Sequence, residues 1–126
     1  MEANELMIGD WVEVPFLEGK PKIVKVEEIL FDEINPEWDG MENYGGVKIK
    51  YVKPIPLTSE ILEKNEFTKE YGVWVIYRHP SFKWFVLYKK EFGYAISVGE
   101  SKVNINYVHE LQHALKLCGI DKTIEL

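Results

Sequence analysis

Val108, Leu111, Leu115 and Cys118 recur at the three-and-four spacing of one helix face, with Ala114 and Leu117 beside them. That stripe predicts a helix between Asn106 and Gly119. Asn104 or Asn106 is placed to cap its start with a short side-chain oxygen. Gly119 follows the last periodic position, where a left-handed backbone costs least. Upstream the period changes to two. Trp11-Val12-Glu13-Val14 and the run Lys22 to Leu30 alternate between faces and predict strands, joined by a turn from Pro15 to Pro21. Val47, Ile49 and Tyr51 alternate with Lys48 and Lys50, a strand with one wet face. Between them, Asn35 to Gly46 is rich in Gly, Asn and Pro and predicts a loop.

Pro54-Ile55-Pro56 ends the first half, because proline cannot donate to a β ladder. Thr58 or Ser59 caps a short helix from Ser59 to Lys64, with Glu60 in its first turn. Val73 to Arg78 and Lys83 to Tyr88 are continuous apolar runs turned by His79-Pro80-Ser81-Phe82. Tyr94 to Val98 and Lys102 to Ile105 follow, and Thr123 to Leu126 predicts a last edge strand. The expected class is α+β. Residues 1–54 form a small antiparallel β unit whose Gly-Asp-x-Val opening resembles SH3 domains. Residues 55–126 form a short helix, an antiparallel β-meander and a C-terminal helix packed on the sheet, the halves sharing one compact domain.

Charge and composition then narrow the function. A net charge of −6 argues against a general phosphate-binding surface, and nucleic acid is not the expected partner. The meander aromatics Trp74, Tyr77, Trp84, Phe85, Tyr88 and Tyr94 offer a stacking platform for single strands, a weaker alternative to packing under helices. The single Cys118 excludes an internal disulfide. Met1 to Glu5 carries acids without the apolar stretch of a signal peptide, and no apolar run reaches bilayer length. A cytoplasmic protein with no membrane partner is expected.

The C-terminal helix also spells His109-Glu110-x-x-His113. Two imidazoles one turn apart can share a zinc ion, and Glu110 can polarise a bound water, so a minimal zinc hydrolase is the enzymatic alternative. The site is unfinished in sequence. Six residues past His113, where the long zincin pattern has its third histidine, stands Gly119. Asp121 and Glu125 are the only acids among the residues that follow, and both lie close to the helix end. The favoured expectation is no catalytic residue, no metal and no cofactor. It is a non-enzymatic accessory or interaction protein with a protein partner, for which Trp38 and Tyr44 in the predicted loop are the candidate surface. Trp38, Met41 and Tyr44 are otherwise expected to tuck back onto the domain.

Several segments together resemble one family. Ile8-Gly9-Asp10-Trp11-Val12, Pro56-Leu57-Thr58-x-Glu60-x-Leu62 with Phe67, Tyr107-Val108-His109-x-Leu111-Gln112 and Leu117-x-Gly119 are similar to small uncharacterised proteins of Bacteroidetes chromosomes and prophages. The resemblance implies a chromosomal or phage-related source and carries no activity. The family's helix resembles Val-His-Gln-Leu-Gln-Asn, so it matches His109, Leu111 and Gln112 but has Gln at the place of Glu110 and Asn at that of His113.

Overall fold

The computed structural model describes residues 1, 5–15, 20–38, 45–98 and 100–126. The fold is α+β, with two antiparallel five-stranded sheets and two α-helices among the described residues. The chain divides into two compact units, Met1–Ile55 and Pro56–Leu126.

The first unit contains β1 (Trp11–Val14), β2 (Lys22–Ile29), β3 (Glu33–Glu37), β4 (Val47–Lys48) and β5 (Lys53–Pro54), in the order β4-β3-β2-β1-β5. Its core follows from the alternation. Val12 and Val14 on β1 and Val24 and Val26 on β2 point to one side and are buried with Ile34. Full burial of each such side chain stabilises by about 1.5–3 kcal/mol. On the other face Lys25 lies opposite Trp11, its ammonium 4.9 Å from the ring centroid. Before β1, Gly9 adopts φ +93°, and the Asp10 carboxylate accepts from the Met7 N–H at 2.8 Å. That small turn explains the Gly-Asp pair ahead of the strand.

Two expectations need correction here. The predicted loop from Asn35 begins inside β3, which contains Pro36 paired with Val26. Proline is tolerated because β4 reaches only Glu33 and Ile34, so no neighbour on that side needs an N–H from residue 36. The predicted strand over Val47 to Tyr51 is a strand for two residues only and then a 3-10 turn, Ile49–Tyr51. Ile49 is buried by that turn while Tyr51 is exposed.

The second unit contains α1 (Ser59–Lys64), β6 (Thr68–Glu70), β7 (Ile76–Arg78), β8 (Val86–Lys89), β9 (Tyr94–Val98), β10 (Ser101–Ile105) and α2 (Val108–Leu117). The strands form a simple meander, β10-β9-β8-β7-β6. Tyr77, Leu87 and Ile96 lie in register across β7, β8 and β9 and are all buried. Tyr77 meets Tyr94 edge-to-face at 5.8 Å, and burial, helped by Tyr77, pushes the Tyr94 hydroxyl up to about 12. α1 starts as expected, with the Thr58 hydroxyl accepting from the Ile61 N–H at 3.3 Å. β6 was not anticipated, being three residues directly after a helix.

α2 packs on the sheet beside β10 and buries Val108, Leu111 and Leu115 completely. The predicted edge strand at Thr123 to Leu126 is not a strand. Two carboxamides hold that segment instead. Gln112 accepts from the Ile124 N–H at 2.8 Å and donates to the Lys122 carbonyl at 2.8 Å. Asn65 does the same for both backbone groups of Glu125, each at 2.7 Å. Side chains thus satisfy backbone groups that a neighbouring strand would otherwise take, and Ile124 is fully buried between the clasps.

Candidate functional site

α2 carries the residues with the most obvious chemistry. His109 is buried and His113 half-buried, their rings edge-to-face with centroids 5.5 Å apart. The Tyr107 ring stacks on His109 at 5.9 Å. Glu110 does something the motif did not foretell. Its Oε1 accepts from the backbone N–H groups of Asn106 and Tyr107, at 3.0 and 3.1 Å. It is the returning half of a capping box, satisfying donors that the first turn of a helix leaves unpaired. The start of α2 is therefore held by Glu110 rather than by an asparagine cap. Among the described residues no group of three or more His, Cys, Asp or Glu is arranged to hold a metal.

A second histidine site lies in the β7–β8 turn. His79, 3 % exposed, is stacked on Phe82 with ring centroids 4.1 Å apart and meets Phe67 edge-on at 5.4 Å. Its Nδ1 accepts from the Ser81 N–H at 3.0 Å. An acceptor nitrogen carries no proton, so the neutral ring bears its hydrogen on Nε2. Nε2 faces Glu66 Oε2 at 3.5 Å, beyond hydrogen-bond geometry. Burial, and then the nearby Lys122 ammonium, lower the His79 pKa from its ordinary value, while the Glu66 carboxylate opposes them weakly.

Beside this ring is an open pocket of about 470 Å³ lined by Thr68, Glu70, Arg78, His79, Pro80 and Lys83. The Arg78 guanidinium in it is already engaged, with Nε 2.8 Å from Glu70 and Nη1 donating to the Lys83 carbonyl at 3.0 Å. The sequence showed His79 only as a turn residue. The available signal was its position two residues before a free N–H, with Pro80 between, the spacing at which a side-chain acceptor closes a turn.

The third feature is apolar. In a meander alternate connections emerge at the same end, which brings residues 71–75, between β6 and β7, beside residues 90–93, between β8 and β9. The Lys89 N–H donates to the Val75 carbonyl at 2.8 Å and ties the two together. Gly93, at φ +78°, lets the second connection turn tightly against Asn106, whose side chain fills the space of a Cβ. At these tips Tyr71 is 78 % exposed, Val73 95 %, Trp74 66 % and Phe92 83 %. Scattered apolar residues on a surface need no explanation, but four on two adjoining tips form a patch.

The aromatics expected to offer a stacking platform are divided by the fold. Tyr77, Phe85 and Tyr94 are buried, and the exposed Trp74 and Trp84 sit at opposite ends of the sheet. Trp38 is half-buried, packed against the first unit's core, with Nε1 donating to the Gly45 carbonyl at 3.2 Å and the Lys22 ammonium 5.9 Å from its ring. Tyr44 and Met41 lie outside the described residues. Among the described residues no helix is long and apolar enough to cross a membrane.

The chain matches no family model. Neither the curated proteins nor the solved structures contain a match to it.

Proposed function

We propose that this chain is a non-catalytic interaction protein that holds a protein partner through the tips of its second unit. The observation that carries the reading is the shared, outward placement of Tyr71, Val73, Trp74 and Phe92 on two adjoining connections. Large aromatic anchors are the side chains from which binding hot spots are most often built. Each aromatic ring taken out of water removes on the order of 150 Å² or more of surface, at roughly 25 cal/mol per Å². Two or three such rings seated in a partner offset the entropic cost of association, which single exposed residues do not.

The other features support the same side. Glu110, the only base the zinc reading has, is engaged in capping a helix. The cationic Arg78 in the open pocket beside His79 is already paired. For the first unit we keep the likeness to SH3 domains. It is supported by the strand order β4-β3-β2-β1-β5 and by the 3-10 turn before the last strand. The segments similar to the Bacteroidetes chromosomal and prophage family support a phage-related, cytoplasmic accessory role without naming the partner.

The test is an affinity measurement with a purified partner identified by cross-linking at position 73. Trp74→Ser and Phe92→Ser are expected to weaken binding tenfold or more with the circular dichroism spectrum unchanged. Unchanged affinity in both, or loss on Trp38→Ala instead, would move the surface elsewhere. Stoichiometric zinc with hydrolytic turnover would end the non-catalytic reading.

A further inference from the structure

We propose that the β7–β8 turn is an acid-sensitive latch: it closes only over a neutral His79, and a proton on Nδ1 releases Ser81 to Phe85 and uncovers the aromatic rings beneath. The inference is independent of the partner surface, which lies at the other end of the strands.

The geometry leaves the second proton nowhere to go. Nε2 already carries the hydrogen of the neutral ring, so an added proton must arrive at Nδ1. That is the atom accepting the Ser81 N–H at 3.0 Å. Two donors would then face each other across the turn, and the hydrogen bond that closes it would be lost. The rest of the turn is held by the Phe82 N–H donating to the His79 carbonyl at 3.3 Å, the Phe85 N–H to the Phe82 carbonyl at 3.1 Å and Arg78 Nη1 to the Lys83 carbonyl at 3.0 Å, none of which touches the imidazole or closes the loop between residues 79 and 81. Phe82 and Phe85 are buried with Phe67, so opening the turn exposes an apolar cluster.

The charges around the ring do not rescue the cation. From the end of α1 the Glu66 carboxylate faces Nε2, the nitrogen that is protonated in either state, and its side chain is 73 % exposed and so screened by water. From the C-terminal segment the Lys122 ammonium repels a charged ring. On the turn and its strands, Arg78 and Lys83 are cationic, and Glu70 is taken by Arg78. Phe67 and Phe82 contribute only apolar surface.

Nuclear magnetic resonance on the full chain tests this. At pH 7 the imidazole nitrogens of His79 are expected to show the neutral Nε2–H form, and the ring is expected to titrate below the ordinary histidine range. Between pH 7 and pH 5 the amides of Ser81, Phe82 and Phe85 should lose at least tenfold of their protection against hydrogen exchange, corrected for intrinsic rate. Leu111 and Leu115 in α2 serve as the unaffected reference. In His79→Asn the carboxamide oxygen can accept from Ser81 but cannot titrate, so protection of the turn should become flat with pH. An Nδ1–H form at pH 7, titration at or above the ordinary value, or an equal loss of protection in His79→Asn would overturn the latch. Should His79→Asn fail to fold, the ring's protonation form and the site-resolved exchange of the native chain decide the matter by themselves.

Discussion

The two helices of the second unit end in the same way and differ in one residue. At α2, the Ile120 N–H donates to the Leu115 carbonyl and the Gly119 N–H to that of Lys116. At α1, the Phe67 N–H donates to the Leu62 carbonyl and the Glu66 N–H to that of Glu63. Both are Schellman motifs, which need a left-handed residue just past the end. Gly119 supplies it at φ +75° and meets nothing within 4 Å. Glu66 supplies it at φ +71°, where a side chain costs about 1 kcal/mol or more. One position is filled for its backbone alone. The other carries strain together with a carboxylate that faces the buried ring of His79, so the more costly residue stands where the side chain has something to meet.

The helices also share the C-terminal segment, each holding it with one carboxamide, and the largest expected effects lie there. Gln112→Ala leaves the buried Ile124 N–H and the Lys122 carbonyl without their acceptor and donor. A loss of about 2–4 kcal/mol in urea unfolding is expected, the sum of two hydrogen bonds and an unsatisfied buried group. Asn65→Ala breaks the matching pair with Glu125 and a bond to the Ile61 carbonyl. Similar losses from both would mean that the segment is shared evenly. A loss confined to Gln112→Ala would make α2 its real holder and break the symmetry of the comparison.

Exchanging the residues at the helix ends sharpens it further. Gly119→Ala should cost about 1 kcal/mol, because an L side chain is placed in the left-handed region. Glu66→Gly should do the reverse at pH 7, raising stability by up to about 1 kcal/mol as the strain is removed. It should also lower the His79 titration further, since Glu66 is the group that raises it. The sign with pH follows from the depressed folded value. His79 contributes its full stability above about 6.5, the unfolded value, and loses it as pH falls through the lower folded value. Thermal unfolding of both variants at pH 7 and pH 5 checks the pair. A destabilising Glu66→Gly at pH 7 would show that the carboxylate outweighs the strain.

How far these features could be read in advance depended on whether the signal was local. α1 was legible to the residue, because Thr58, Glu60 and the apolar positions agree at one scale. α2 was legible from its stripe and from Gly119. The α+β class followed from these helices and from the alternating runs. What could not be read was set by distant chain. β3 tolerates Pro36 only because β4 stops short of it. Thr123 to Leu126 forms no strand, and Asn65, some sixty residues away, and Gln112 take the role of a neighbour. The turn after β7 runs longer than His79-Pro80-Ser81-Phe82 because Phe82 and Phe85 fold inward. In the candidate sites, His79 is legible in sequence only as a turn residue, since the burial and the Ser81 bond that distinguish it are properties of the folded turn.

The smallest effect concerns the residue whose two readings diverge most. If Glu110 serves α2 by capping it, Glu110→Gln should be nearly neutral, because the amide oxygen can still accept from Asn106 and Tyr107. Glu110→Ala removes the acceptor and should cost about 0.5–1 kcal/mol. Loss of a general base would instead show in turnover, where the amide, unable to take up a proton, is as damaging as truncation. Chemical unfolding of the two variants therefore tests the capping role without a substrate in hand. Elemental analysis of the native chain and of His113→Ala completes the test: zinc bound stoichiometrically by the first and lost by the second would return Glu110 to the chemistry that its sequence position suggested. A helix start that tolerates glutamine and resists alanine instead makes the same five residues the opening turn of a packing helix.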